Sequence, residues 1–366
     1  MTNWNNITFK RLKQEIISPT RNFTRKGLYI IHNLIYTLSI KIGKRKIEYL
    51  VYDVRNNPIT FDIVFIIYYG YLFFLKQGIK NFKLIIFEPK YYQYNRPMLS
   101  SYSKYISSAD LKKRLTSMIL PIAESFNCIN SIEIISSYKD FEKLKINTRY
   151  IFPQFFNPRI YSPNVQNHKK IYFNLLKNKK KELYPYLISA FSKEEIISRI
   201  SSQIKIIKYA TITLRDYGFN PARNTSSKEI KIALSYAKSK GLSLILVPDE
   251  TKNLDNYDIP KEIIIYSRAR ESLKERVGLY SYSEINIFPP CGAANISLFT
   301  RSSKTIILKF GDPKSIDSSS KYYKETYNIN YGQQPYQGLK GYLDWYTNKY
   351  ENLDYQIQIP RNFFDV

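Results

Sequence analysis

Short runs of β-forming residues alternate with helical patterns along this chain, and the alternation restricts the folds open to it. In the first half the runs are KIEYLVYDV (46–54), FKLIIFEPK (82–90) and SIEII (131–135). Two helices separate them: one with Thr60 as its N-cap and Asp62 in its first turn, and a polar one at about 109–126. This succession predicts an α/β fold with a mostly parallel sheet.

The second half repeats the alternation with clearer boundaries. Its runs are YATITL (209–214), LSLILVPDE (242–250), INIF (285–288) and KTIILKF (304–310). Ser226 and Glu229 have the spacing of a capping box, and Gly241 stands where a helix commonly ends. We predict a second parallel sheet whose last strand is 304–310. We also predict a helix near LDWYTNKYENL (343–353).

The length of the chain predicts two domains, because 366 residues exceed the size at which one core usually stops growing. We place an N-terminal domain over 45–195 and a C-terminal domain over 196–366. Residues 1–44 are a basic extension in which LYIIHNLIYTLSIKI (28–42) has one apolar helical face. Two interpretations of that face stay open: contact with an anionic membrane surface, or packing on the N-terminal domain.

The charge of the chain is strongly positive, with 56 Lys and Arg against 30 Asp and Glu and a formal net charge of +26. It favours anionic partners such as nucleic acid, a phospholipid surface or phosphorylated substrates, although compositional drift toward lysine is equally compatible with it. Two cysteines and two histidines exclude a disulfide framework and a metal site built from many Cys or His. The sequence has no P-loop, no dinucleotide-binding glycine motif and no Asp-x-Asp motif.

Polar and small residues follow three strands of the second half. Ligands of open parallel sheets bind beyond the carboxyl ends of the strands. Guanidinium groups suit a diphosphate, carboxylates suit ribose hydroxyls or a base edge, and a small-residue helix start lets N–H groups approach phosphate. The sequence therefore predicts a nucleotide-diphosphate site. Its candidate residues are Arg215, Asp216, Arg223 and Asn224, then Asp249 and Glu250, then Cys291, Gly292 and Ala293.

Several segments resemble a group of bacterial glycosyltransferases. They are ITLRDYGFNPARNTS, SYAKSKGLSLILVPDE, RVGLYSYSEINIFPPCGAANISLF and TIILKFGD, with YDVRNNPITFD in the first half. The second domain of that group is similar to that of the GT-B fucosyltransferases, of both the α-1,6 type and the protein O-type. The resemblance covers roughly 45–365 and implies a GT-B-like fold, with two Rossmann-like domains whose mostly parallel sheets face a central cleft.

The resemblance also implies roles for matching positions. Arg215 matches the arginine that holds the β-phosphate of the sugar nucleotide, and Asp249 matches the acid that reads the base or ribose. The segment from Cys291 to Ala293 matches the one that reaches the phosphates. Thr213 stands where the fucosyltransferases have a histidine, so the resemblance does not extend to guanine recognition. The pair Arg223 and Asn224 matches an Arg-Asn pair of the bacterial group.

Two residues are the predicted catalytic ones: Arg215 would neutralise the leaving diphosphate, and Asp216 stands beside it. A carboxylate would have to take the proton of the acceptor in an inverting reaction. Four candidates stay open, and the last two lie on the side expected to hold the acceptor: Asp216, Glu250, Asp53 and Asp62.

The function implied is transfer of a sugar from a nucleotide-diphosphate sugar to a glycan or lipid-linked acceptor in bacterial surface polysaccharide synthesis. Neither a metal nor another cofactor is expected, nor is a specific nucleic-acid partner. The expected location is cytoplasmic, with peripheral contact to anionic lipid at the inner face of the membrane. Three alternatives stay open: a non-catalytic basic protein that binds membrane or nucleic acid, an inactive transferase, and a sugar-nucleotide epimerase.

Overall fold

A computed structural model of the protein describes residues 47–55, 57, 59–88, 108–145, 148–154, 156, 168–178, 180, 183–200, 208–249, 254–352 and 355–364. The predicted basic extension over 1–44 lies outside these ranges. Among the helices within them, none is long and apolar enough to cross a membrane.

The first sheet consists of four parallel strands: β1 (Ile47–Asp53), β2 (Phe82–Phe87), β3 (Ile129–Ile135) and β4 (Thr148–Phe152). They lie in the order β3-β2-β1-β4. The two central strands, β1 and β2, are almost wholly buried, as expected for parallel strands covered on both faces. The helices of this half are α1 (Ile63–Leu75), α2 (Ser108–Arg114), α3 (Leu120–Ser125), α4 (Tyr138–Lys145), α5 (His168–Lys177) and α6 (Lys193–Ile200), and a π-helical turn (Leu115–Ile119) joins α2 to α3.

The second sheet has six parallel strands: β5 (Tyr209–Leu214), β6 (Ser243–Pro248), β7 (Ile264–Ile265), β8 (Ile285–Phe288), β9 (Lys304–Phe310) and β10 (Gly341–Trp345). Their order is β10-β9-β8-β5-β6-β7. The chain runs outward from β5 to β7, then returns to β8 on the other side of β5, which makes the space between β5 and β8 the topological switch point. The helices are α7 (Ser227–Ser239), α8 (Arg268–Glu271), α9 (Leu273–Tyr282), α10 (Ala293–Leu298) and α11 (Ser320–Tyr327).

The predicted fold class, α/β with two mostly parallel sheets, is confirmed. The capping box is also confirmed, since the Ser226 hydroxyl accepts the Glu229 N–H while the Glu229 carboxylate accepts the Ser226 N–H. Gly241 follows α7 with a left-handed φ of 67°.

Three local predictions were wrong. The C-terminal segment near 343–353 is not a helix, because 341–345 instead adds the edge strand β10 to β9 and a 3₁₀ turn follows at Asn348–Glu351. The segment YIFPQFFNPRIYSPN (150–164), whose prolines and aromatic residues predict a long loop, instead contributes its first three residues to β4. The helix expected from Thr60 begins at Ile63, so Asp62 occupies its N-cap position rather than its first turn.

The two sheets share one hydrophobic core. A single cluster of buried side chains includes Leu50 of β1 and Phe65 of α1 as well as Leu343 of β10. At its centre lies Phe299, directly after α10, whose ring is 5.9 Å from the rings of Phe65, Tyr68 and Phe126. The halves are therefore joined by packed apolar surface.

A buried carboxylate on β10 makes stability depend on pH. Burial raises the pKa of Asp344 from 3.8 to about 6, although a hydrogen bond from the Tyr355 hydroxyl opposes the rise. In the unfolded chain the Asp344 carboxyl loses its proton at a lower pH than in the folded protein. The free energy of unfolding should therefore fall by up to about 3 kcal/mol as the pH rises from about 4 to about 7.

The variant Asp344→Asn should lack this fall. Urea unfolding across that pH range would measure it, with the exposed Asp258→Asn as the matched control. Parallel pH profiles for wild type and Asp344→Asn would contradict the prediction.

Candidate functional site

The loop after β5 closes around the guanidinium of Arg215. The backbone N–H of Arg215 donates to Thr225 Oγ1, and the Thr225 N–H donates back to the Arg215 carbonyl, both at 2.9 Å. Inside the loop the buried guanidinium donates to the carbonyls of Phe219 and Asn220 and to Asn224 Oδ1. Burial first, and then the charge of Arg223, lowers the pKa of Arg215. Arg215 therefore holds the loop in shape, and its role as a phosphate ligand stays a prediction.

Arg223 connects the loop after β5 to the loop after β8. Its Nε donates to the Pro290 carbonyl at 2.6 Å, and its guanidinium pairs with Asp317 at 3.2 Å. Asn220 adopts a left-handed backbone at φ 54° and donates through Nδ2 to Ser315 and Asp317. These contacts cross the switch point between β5 and β8, where the carboxyl ends of the strands meet.

Asp249, directly after β6, forms an ion pair with Arg276 of α9. Both side chains are largely buried, with 15% and 4% exposed, and Arg276 Nε also donates to the Ala269 carbonyl at 2.7 Å. Burial acts to lower the pKa of Arg276, but the Asp249 carboxylate together with Tyr280 and Cys291 raises that pKa above its ordinary value. Sequence reasoning missed Arg276, which fixes the position of Asp249.

The small-residue segment after β8 packs against the first half of the chain. A Cβ built on Gly292 would lie 2.9 Å from Cδ2 of Phe61, so the close approach needs glycine. Burial and the nearby Asp249 raise the pKa of the Cys291 thiol to about 11, against the opposing charges of Arg223 and Arg215. Cys291 therefore stays a neutral thiol, and its electrostatic neighbours show that the three strand ends come together.

The acceptor-side carboxylates are both engaged in structural contacts. Asp53 forms a bidentate pair with Arg55, the closest distance being 2.7 Å, and is almost completely buried. Asp62 accepts a hydrogen bond from Asn295 Nδ2 at 3.1 Å, which joins the start of α1 to α10. Asp62 thus lies at the junction of the two halves.

The remaining predicted carboxylates lie elsewhere. Asp216 hydrogen-bonds to Tyr257; burial and then this carboxylate raise the pKa of the Tyr257 phenol to about 12. Asp216 thus faces the loop beyond β6. Glu250 lies outside the described residues.

A cleft of about 520 Å³ opens where the carboxyl ends of the two sheets face each other. From the first half, Lys113 and Arg114 of the α2 helix line it, together with Asp110 and Phe61. The second half contributes Tyr217 and Asp249. It also contributes charged residues at the end of α8 and in α9, namely Arg270, Glu271 and Arg276. Both halves thus place cations around one cavity, whose size is in the range of small-molecule sites.

Of the predicted site residues that the structure describes, only Asp249 lines this cleft. The loop of Arg215 reaches it through Tyr217. Neither Arg223 nor Cys291 lines it, although the Cys291 thiol lies within electrostatic range of Asp249. The cleft cations missed by sequence reasoning stand on helices. For Arg270 and Arg276, the signal in the sequence was the run SRARESLKER (267–276), in which four cationic residues follow a short strand. Within the described ranges, no three His, Cys, Asp or Glu side chains are placed to hold a metal ion.

No protein-family model matches the sequence, and no curated protein matches it. Among solved structures, a glycosyl transferase family 9 protein from Veillonella parvula DSM 2008 is 8% identical with a TM-score of 0.46, over 86% of this chain and 91% of that chain. POFUT1 in complex with GDP is 11% identical with a TM-score of 0.34, over 70% and 97%.

The iron-containing dodecameric glycosyltransferase TibC from enterotoxigenic E. coli H10407 is 12% identical with a TM-score of 0.35. The match covers 75% of this chain and 61% of TibC, so the chain spans about three fifths of that protein's length. These likenesses concern the fold and do not bear on substrate or mechanism. The narrower resemblance to fucosyltransferases stays a prediction.

Proposed function

We propose that this protein is a glycosyltransferase that moves a sugar from a nucleotide-diphosphate sugar to a glycan or lipid-linked acceptor. The observation that supports it most is the cleft at the facing carboxyl ends of two parallel sheets, with cations contributed by both halves. A leaving nucleoside diphosphate gains negative charge, and positioned guanidinium and ammonium groups stabilise that charge.

Each group in the cleft has a chemical role in this proposal. Lys113, Arg114 and Arg270 bind the diphosphate, while Arg276 holds Asp249 in place to accept hydrogen bonds from ribose or base. Glu271 and Asp110 are the carboxylates of the cleft that can take the proton of an acceptor hydroxyl. They come before Asp53 and Asp62 as candidates for the base, because they line the cleft and those two do not.

Arg270→Gln tests this assignment. The variant should bind one nucleoside diphosphate about 10- to 150-fold more weakly than wild type, the range for losing a hydrogen bond to a charged group of about 1.5–3 kcal/mol. Calorimetry would measure the dissociation constants of ADP, GDP, UDP, dTDP and CDP, with EDTA and with Mg²⁺. Arg301→Gln is the matched control, because that exposed arginine lies over Tyr186, outside the cleft lining.

Two results would contradict the proposal. One is an absence of binding by all five nucleotides at millimolar concentration. The other is that Arg270→Gln and Arg301→Gln weaken nucleotide binding equally and that this binding falls steeply at higher salt. The second pattern would favour a basic protein that binds polyanions by charge alone.

A further inference from the structure

A second open pocket, of about 770 Å³, lies along the edge strand β10. It has no lining residue in common with the cleft. Two pairs of aromatic rings line it: Tyr331 with Trp345, at 5.2 Å between centroids, and Tyr342 with Phe363, at 5.0 Å. Tyr331 is 58% exposed, so one ring face is open to a ligand.

The lining of this pocket is nearly free of charge. Of the fifteen lining residues within the described ranges, only Lys349 and Asp344 carry a formal charge, and the two cancel. The chain as a whole has 56 Lys and Arg, so a phosphate or polyanion would find many more favourable surfaces elsewhere. The other polar groups are amides and hydroxyls, including those of Asn352, Gln356 and Gln358. Such groups donate and accept hydrogen bonds with a neutral ligand.

One acceptor in the pocket wall is unsatisfied. Asp344 Oδ1 accepts a hydrogen bond from Tyr355 at 2.6 Å, but the buried Oδ2 accepts none from the part of the chain that the structure describes. That oxygen is closed to solvent, so a ligand does not reach it. The hydrogen-bonding groups of the wall that are open to a ligand are the exposed side-chain amides of Asn352, Gln356 and Gln358.

The edge of the sheet is already covered at this place. The side-chain amide of Gln334 accepts the Leu343 N–H at 2.7 Å and donates to the Leu343 carbonyl at 2.9 Å. A peptide strand that added to β10 would have to displace both hydrogen bonds. This argues against an extended peptide as the occupant.

We propose that this pocket binds a neutral sugar, either free or as a unit of a glycan chain. The apolar face of a sugar ring packs on Tyr331, and its hydroxyl groups bond to the exposed amides. The proposal is independent of the function proposed for the cleft, since the two pockets have different linings.

Ligand-observed NMR titrations of the full chain would test the proposal. The probes are glucose, galactose and N-acetylglucosamine, and the hexasaccharides of maltose and cellulose type. At least one neutral sugar should bind the wild type, and Tyr331→Ala should weaken it about 2- to 10-fold through loss of the ring contact. Tyr331→Phe keeps the ring and should bind like wild type. Tighter binding of a hexasaccharide than of its monomer would identify a glycan chain, and equal binding a single ring.

Lys349→Gln and Arg270→Gln distinguish a neutral-sugar site from binding by charge. Sugar binding should persist in both and should not depend on salt. The proposal is overturned if none of the sugars binds at millimolar concentration, if Tyr331→Ala binds as well as wild type, or if binding is lost with salt and in Lys349→Gln. Binding of an extended peptide that competes with the sugars would also overturn it. Loss of nucleotide binding in Arg270→Gln with intact sugar binding would support both sites separately.

Discussion

Replacing Arg276 by methionine should lower the free energy of unfolding by about 3–5 kcal/mol, the cost of removing one partner of a buried ion pair. Methionine keeps an unbranched apolar chain, so the change removes mainly the charge and its donors. It leaves Asp249 largely buried beside the cleft without its ion pair, and the Ala269 carbonyl without the Arg276 donor. Urea unfolding at pH 7, with the slope compared between variants, would measure the loss.

The double variant Arg276→Met/Asp249→Asn serves as the internal control. It should recover part of the loss, because no unpaired carboxylate remains. Arg301→Met removes an exposed guanidinium and should change stability by less than about 0.5 kcal/mol. A loss below about 1 kcal/mol in Arg276→Met would show that the pair contributes little to holding Asp249.

Phe299→Ala should destabilise both sheets together, by about 3–5 kcal/mol. The ring is only 1% exposed and lies among Phe65, Tyr68 and Phe126, which belong to the first half of the chain. Because the core is continuous, one transition should remain, at a lower urea concentration. Circular dichroism and the fluorescence of Trp345 on β10 would follow it.

The matched control is Phe173→Ala on α5, where the ring is 64% exposed and the expected change is within about 0.5 kcal/mol. Transitions by the two probes should coincide in all three proteins. Two separate transitions, of which Phe299→Ala shifts only one, would show that the halves unfold independently.

The fold could be predicted from the sequence where local pattern and burial agree. The run YATITL becomes β5 at the predicted residues, and the capping box of Ser226 and Glu229 starts α7. These signals depend on neighbours within a few residues, so tertiary context changes them little. The prediction of a helix near 343–353 failed because the strand β10 forms by pairing with β9, which lies more than thirty residues earlier in the chain.

The candidate site was less predictable, for a related reason. The position of Arg215 at the end of a strand was predicted correctly. Which groups accept its hydrogen bonds depends on the loop that follows, and Asn220 reverses that loop with its left-handed backbone. The pairing of Asp249 with Arg276 joins residues on different elements, 27 positions apart. The cations of α2 face the cleft only because the two sheets meet there.

The shared core also has a consequence for synthesis on the ribosome. The apolar face of α1 is complete early, but its partner Phe299 is made about 220 residues later, roughly 10–45 s at common translation rates. During that interval the nascent first half has no second half to cover it. Exposed apolar surface of this kind is a target for chaperones and a risk for aggregation. Yield in a cell should therefore depend on chaperone supply more than the stability of the finished protein suggests.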